Sequence, residues 1–122
     1  TNTFDRKTSE ENMKVGRKLL KTIKVPVIGI NELLEKYVPK GQEIDLLGID
    51  VEGMDEKILR SLDFGRWKPR VIVAEDMGFV DRRSSIVEGK GGVRVFLEGE
   101  GYELVGMTGY SLIYKLSLRG PR

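Results

Sequence analysis

Ile44-Asp45-Leu46-Leu47-Gly48-Ile49-Asp50-Val51-Glu52-Gly53-Met54-Asp55 is the stretch that decides the fold of this chain. Its unbroken apolar run, Leu46 to Ile49, is short and bounded by charge, the pattern of a strand buried on both faces in a parallel sheet. A strand is therefore predicted over 44–51, running out into Asp50, Glu52 and Gly53. Directly after it, Met54, Ile58, Leu59 and Leu62 recur at helical spacing, and Asp55 and Glu56 fall in the first turn, where the helix dipole favours carboxylates. Pro69 then leads into Val71, Ile72, Val73 and Ala74, a second buried strand that ends in Glu75 and Asp76. Strand, helix and strand with short connections predict a right-handed parallel crossover.

Toward the N-terminus, Ile30, Leu33, Leu34 and Tyr37 mark an amphipathic helix, with Asn31 as its candidate cap and Pro39 and Gly41 as its stop. Residues 23–28 are mainly β-branched but contain Pro26, which suits a short edge strand. Further out, Thr8 and Glu11 have capping-box spacing and predict a short helix through Met13. Toward the C-terminus, residues 77–92 form a long irregular stretch with four glycines, Gly78, Gly89, Gly91 and Gly92, and with Arg82 and Arg83 at its middle. Val93, Phe96 and Leu97 give a further helical face closed by Gly99 and Gly101. Residues 102–107 and 110–116 then read as an antiparallel hairpin around Thr108 and Gly109. Trp67, Phe64 and Tyr102 read as core packing, and Tyr110 lies next to the hairpin turn.

The chain has 122 residues, 39% apolar and 33% charged with a formal net charge of +2, the profile of one folded domain with a modest core. It contains neither cysteine nor histidine, so disulfides, thiolate metal sites and imidazole general bases are excluded. Any catalysis must use carboxylates, hydroxyls, lysine or arginine. The cations are scattered along the chain, so nucleic acid is an unlikely partner. No apolar run reaches the length of a membrane span, and a cytoplasmic setting is expected.

The stretch 44–55 closely resembles the signature of FkbM-type methyltransferases. Ile58-Leu59-Arg60-Ser61-Leu62-Asp63-Phe64 and Trp67-Lys68-Pro69-Arg70-Val71-Ile72-Val73-Ala74-Glu75 are similar to the helix and strand that follow it in that family. Thr3-Phe4, residues 27–34, Gly101-Tyr102 and Ser111-Leu112-Ile113-Tyr114 also look like family text. The resemblance implies an α/β fold, a partial Rossmann-like class I methyltransferase sheet of parallel strands with a C-terminal antiparallel hairpin. It implies S-adenosylmethionine as cofactor, and methyl transfer to an oxygen of a small molecule or sugar. By its length the chain 1–122 is expected to be one domain, which the resemblance implies is the C-terminal half of the enzyme, and residues 1–22 are expected to be a mobile lead segment. The family's glycine-rich cofactor loop is not found: Gly89, Gly91 and Gly92 follow no predicted strand, and Gly99 and Gly101 close a helix, so all read as turn and cap residues.

In open α/β sheets the ligand lies beyond the carboxyl ends of the strands, which predicts that Asp50, Glu52, Glu75 and Asp76 face one crevice. By the resemblance, Asp50 lies near the methionine end of the cofactor and orients the acceptor or takes its proton, with Glu52 and Glu75 in support. Asp50 and Gly53 are the expected cofactor neighbours, although Gly53 suits a tight turn as well. Four clustered carboxylates also raise the alternative of a magnesium ion, but their spacing fixes no ligand set and no metal is assigned. Arg82 and Arg83 are either a lid over an acidic acceptor or a solvated loop. The competing reading is a truncated, non-catalytic module. In the full fold another strand flanks 44–51, so here that apolar edge is expected to be covered by residues 23–28 or by a second copy in a homodimer.

Overall fold

The computed structural model describes residues 6–76, 92–109 and 111–118. In chain order these form α1 (Arg6–Lys14), α2 (Ile30–Tyr37), β1 (Leu46–Ile49), α3 (Asp55–Ser61), β2 (Val71–Glu75), α4 (Val93–Gly99), β3 (Tyr102–Thr108) and β4 (Ser111–Leu116). The strands make one sheet in the order β1-β2-β4-β3. β1 and β2 are parallel, with Leu46 beside Val71 and Ile49 beside Ala74. β4 then inserts antiparallel to β2, with Ile72 opposite Tyr114 and Ala74 opposite Leu112. The β3–β4 hairpin turns at Gly109, whose φ of +62° is freely open only to glycine. A mixed α/β sheet with a parallel pair and a C-terminal antiparallel hairpin is the arrangement the hydrophobic pattern predicts.

Strand side chains alternate between faces, so this register puts Leu47, Ile49, Ile72, Ala74, Leu112 and Tyr114 on one side. That side is the core: it joins Leu59 and Leu62 at α3, Val93 and Leu97 on α4, and Phe64, Trp67 and Tyr102. Leu59, Ile72, Leu97 and Leu112 are fully buried, and each such side chain contributes about 1.5–3 kcal/mol. Phe64 meets Phe96 and Tyr102 edge to face at 5.7 and 5.9 Å. The Tyr102 hydroxyl donates to the Pro69 carbonyl at 2.7 Å, tying the start of β3 to the approach of β2. The aromatics read as packing residues do pack.

Four expectations need correction. β1 is not buried on both faces: Leu46 is 62% exposed and only Ile49 is buried, because α3 and α4 join one core on the Ile49 side. An apolar run does not reveal whether a second layer is present. Residues 23–28 form no strand; Ile23, Val25 and Val27 are exposed, Pro26 has no N–H to donate, and β-branched residues make a strand only where a partner completes the ladder. Among the described residues β1 therefore has β2 as its one neighbour. α1 begins at Arg6, upstream of Thr8, so Thr8 falls within the helix and not at the position before it. Asn31 likewise sits inside α2, whose N-cap is Gly29. Its side chain instead clamps the end of α3, with Nδ2 donating to the Ser61 carbonyl at 2.7 Å and Oδ1 accepting from the Asp63 amide at 2.9 Å. In sequence a capping amide and a tertiary clamp look alike.

Candidate active site

Parallel β1 and β2 bring their carboxyl ends to the same edge of the sheet. Asp50 follows β1 by one residue, and Glu75 is the last residue of β2. Between β1 and α3 the chain turns sharply: Glu52 has φ +50° and Gly53 φ +91°, two successive left-handed residues, and the Met54 amide closes on the Val51 carbonyl at 3.3 Å. Glycine adopts this conformation without penalty. For Glu52 it costs roughly 1–2 kcal/mol, and among the described residues Glu52 is the one non-glycine residue held there. Strain of this kind persists only where the surroundings enforce it.

Beside this turn lies Asp55. This carboxylate is 2% exposed, in the first turn of α3. Its Oδ2 accepts from the Val51 amide at 3.4 Å and its Oδ1 from the Glu75 amide at 3.3 Å, both at the long end for such bonds. One side chain thus joins the ends of both parallel strands. In the sequence Asp55 reads as a helix-start residue. It is that as well, but a carboxylate serving a helix dipole and one bridging two strands carry the same sequence signal.

Asp50 and Glu52 are exposed, whereas Glu75 is partly buried. The Glu75 carboxyl is held above the ordinary carboxylate range, first by burial and then by the negative charges of Asp50, Asp55 and Glu52. That coupling brings Asp50, Glu52 and Glu75 into one electrostatic neighbourhood. Asp76 is placed differently. It is buried, and a Cβ built on Gly92, the N-cap of α4, would lie 2.5 Å from its Oδ2. Its charge, after burial, also holds the buried Tyr114 phenol above its ordinary pKa. The Asp76 carboxylate thus lies close against the start of α4, and a side chain at position 92 would oblige it to move. Among the described residues no three carboxylates are grouped so as to hold a metal ion.

Gly53 faces open space and Asp50 is exposed, so a ligand can approach the turn from solvent. At the opposite, amino end of the strands a cleft of about 840 Å³ is lined by Ile44, Trp67, Lys68, Arg70 and Leu116 among others. It contains none of the candidate carboxylates. Arg82, Arg83, Tyr110, Gly89 and Gly91 lie outside the described residues. Among the described residues no helix is long and apolar enough to cross a membrane.

No curated protein and no solved structure matches the chain. The sequence model of the methyltransferase FkbM domain matches residues 1–104, which include the strand–turn–helix carrying Asp50 to Asp55 and the β2 end carrying Glu75. The chain belongs to the FkbM methyltransferase family.

Proposed function

We propose that this chain forms the acceptor side of an S-adenosylmethionine-dependent methyltransferase that methylates an oxygen of a small molecule or sugar. The observation that carries the reading is the gathering of Asp50, Glu52 and Glu75 at the carboxyl end of the parallel pair, where α/β sheets of this kind hold their ligands. The sheet order β1-β2-β4-β3 supports it, being read as the second half of a Rossmann-like class I sheet. When bound, the cofactor supplies a methyl group on a sulfonium that leaves as a neutral thioether. Asp50, exposed at the end of β1, orients the acceptor hydroxyl and takes its proton as the oxygen–methyl bond forms and the carbon–sulfur bond breaks. Glu75, held above the ordinary carboxylate range by burial and by the neighbouring charges, stands beside it as a second acceptor or positioning group. Glu52 positions the acceptor, and Gly53 leaves the backbone open to the cofactor. The test is transfer of labelled methyl from S-adenosylmethionine to a panel of sugar and small-molecule alcohols. Transfer that Asp50→Asn reduces by roughly 100-fold or more, the scale of a lost proton-transfer group, supports the reading. Transfer untouched by Asp50→Asn and Glu75→Gln removes these residues from the chemistry.

A second reading is a non-catalytic module that binds a second copy of itself, and the edge of β1, which has no partner strand among the described residues, favours it. Two-fold pairing of β1 centred on Leu47 and Gly48 would set Asp45 opposite the partner's Asp50. Such a dimer would tighten as salt or acid weakens that repulsion. Sedimentation of the chain across salt and pH tests this, and a monomer under all conditions refutes it.

A further inference from the structure

The proposed chemistry needs carboxylates from two different strands at a fixed separation, and the strand ends themselves do not provide it. The last paired residues of the parallel ladder are Ile49 and Ala74, so beyond that pair the ladder no longer ties the two chains together. Asp50 and Glu52 lie past the pair on one side and Glu75 past it on the other, where Glu75 is still paired with Ser111 of β4 but β1 and β2 no longer hold each other. The groups that cross this gap are the Val51 and Glu75 amides, and both converge on the two oxygens of Asp55. Asp55 comes from a third element, α3, and its burial at 2% exposure leaves water little access to compete for those bonds. Val51 immediately precedes the left-handed Glu52–Gly53 turn, so the bond to its amide also sets where that strained turn begins.

We propose that Asp55 is a positioning residue: its carboxylate bridges the two strand ends and sets the spacing between the Asp50–Glu52 turn and Glu75 on which the acceptor site depends. This inference deepens the methyltransferase reading and rests on it for its function, while the bridge itself is a structural claim that stands or falls alone. Asp55 need touch neither cofactor nor acceptor. Its charge acts on Glu75 together with those of Asp50 and Glu52 from the turn after β1, and the residue paired with Glu75 on β4 is the uncharged Ser111. A neutral residue at position 55 therefore changes both the geometry at the strand ends and the affinity of Glu75 for its proton. The second effect is one that a purely structural residue elsewhere in the core would not have.

The test uses the whole chain and Asp55→Asn, which keeps the shape but leaves a single acceptor oxygen. Amide hydrogen exchange at Val51 and Glu75 is expected to accelerate at least tenfold relative to Leu59 and Ile72 in the same sample. The titration midpoint of the Glu75 carboxyl carbon is expected to fall, yet to stay above the ordinary glutamate value because burial remains. Unchanged exchange at both amides and an unmoved Glu75 midpoint would overturn the proposal. Should Asp55→Asn fail to fold, the wild-type chain still decides: the Val51 and Glu75 amide protons must shift together with the Asp55 carboxyl carbon as pH falls, and independent behaviour refutes the bridge. S-adenosylhomocysteine titration separates the two claims. If the wild type binds it, methyl transfer by Asp55→Asn must fall at least tenfold, and equal transfer by the two proteins refutes the positioning role. If the wild type does not bind it, the cofactor reading fails for this chain while the exchange and titration results still judge the bridge.

Discussion

Replacing Glu52 by glycine should stabilise the protein while removing a candidate site group. The left-handed backbone at φ +50° costs a side-chain-bearing residue roughly 1–2 kcal/mol, and glycine escapes that cost but loses about 0.5–1 kcal/mol through its freer unfolded chain. The midpoints of the two ranges leave a net gain of about 0.75 kcal/mol. With an unfolding entropy of roughly 2.1 cal/mol/K per residue over the 122-residue chain, 1 kcal/mol corresponds to about 4 °C, so Tm should rise by about 2–4 °C. Removing the carboxylate also relieves repulsion with Glu75, whose pKa the Glu52 charge helps to raise. Glu52→Ala measures that contribution separately, because alanine loses the charge but keeps the strained backbone. Calorimetric melts of the three proteins at pH 7 and low salt give the comparison. Glycine melting about 2–4 °C above wild type, and clearly above alanine, supports a strained turn. Glycine melting at or below alanine refutes it. A stabilising change that weakens ligand binding is the expected signature of a residue kept for its side chain.

Other outcomes follow from the same geometry. Because the folded-state pKa of Glu75 is raised, by burial first and by Asp50, Asp55 and Glu52 next, the native state holds this proton more tightly than the unfolded chain; the resulting stabilisation is complete below the ordinary glutamate value and is lost as pH rises through the folded-state value. Glu75→Gln should thus melt above wild type at pH 7, with a difference that vanishes toward pH 3; a difference that instead grows on acidification contradicts the sign. Gly92→Ala pushes a methyl group to within 2.5 Å of Asp76 Oδ2, and denaturant unfolding should show a loss of about 1–3 kcal/mol if burial holds that carboxylate in place; a neutral result would mean that the Asp76 side chain rotates aside without cost. Tyr102→Phe leaves the buried Pro69 carbonyl without its donor and should cost about 1–3 kcal/mol by the same measurement; a change within 0.5 kcal/mol, the range of ordinary surface substitutions, would contradict the bond.

The sequence made the parallel pair and the hairpin legible because apolar runs of four or five residues bounded by charge and glycine allow few alternatives. Leu46–Ile49, Val71–Glu75 and the turn at Gly109 are all such cases. It misjudged residues 23–28 because β-branched composition signals strand propensity but not the presence of a hydrogen-bonding partner. The single-sided cover of β1 was hidden for a related reason: Leu46 and Leu47 are equally apolar in sequence, yet their exposures differ once the helices choose a face. Within the site, Asp50, Glu52 and Glu75 were legible as the polar residues that end buried strands. Asp55 and Asn31 were not, because their partners, Val51 with Glu75 and Ser61 with Asp63, become neighbours only through tertiary structure.

The measurement that bears most directly on the account is calorimetric titration of the chain with S-adenosylhomocysteine, repeated on Asp50→Ala. The account predicts saturable binding to the wild type that is lost or weakened at least tenfold in the variant, with both proteins folded. Equal binding by the two proteins, or no heat from a folded wild-type sample, would contradict the placement of a methyltransferase site at the carboxyl ends of β1 and β2.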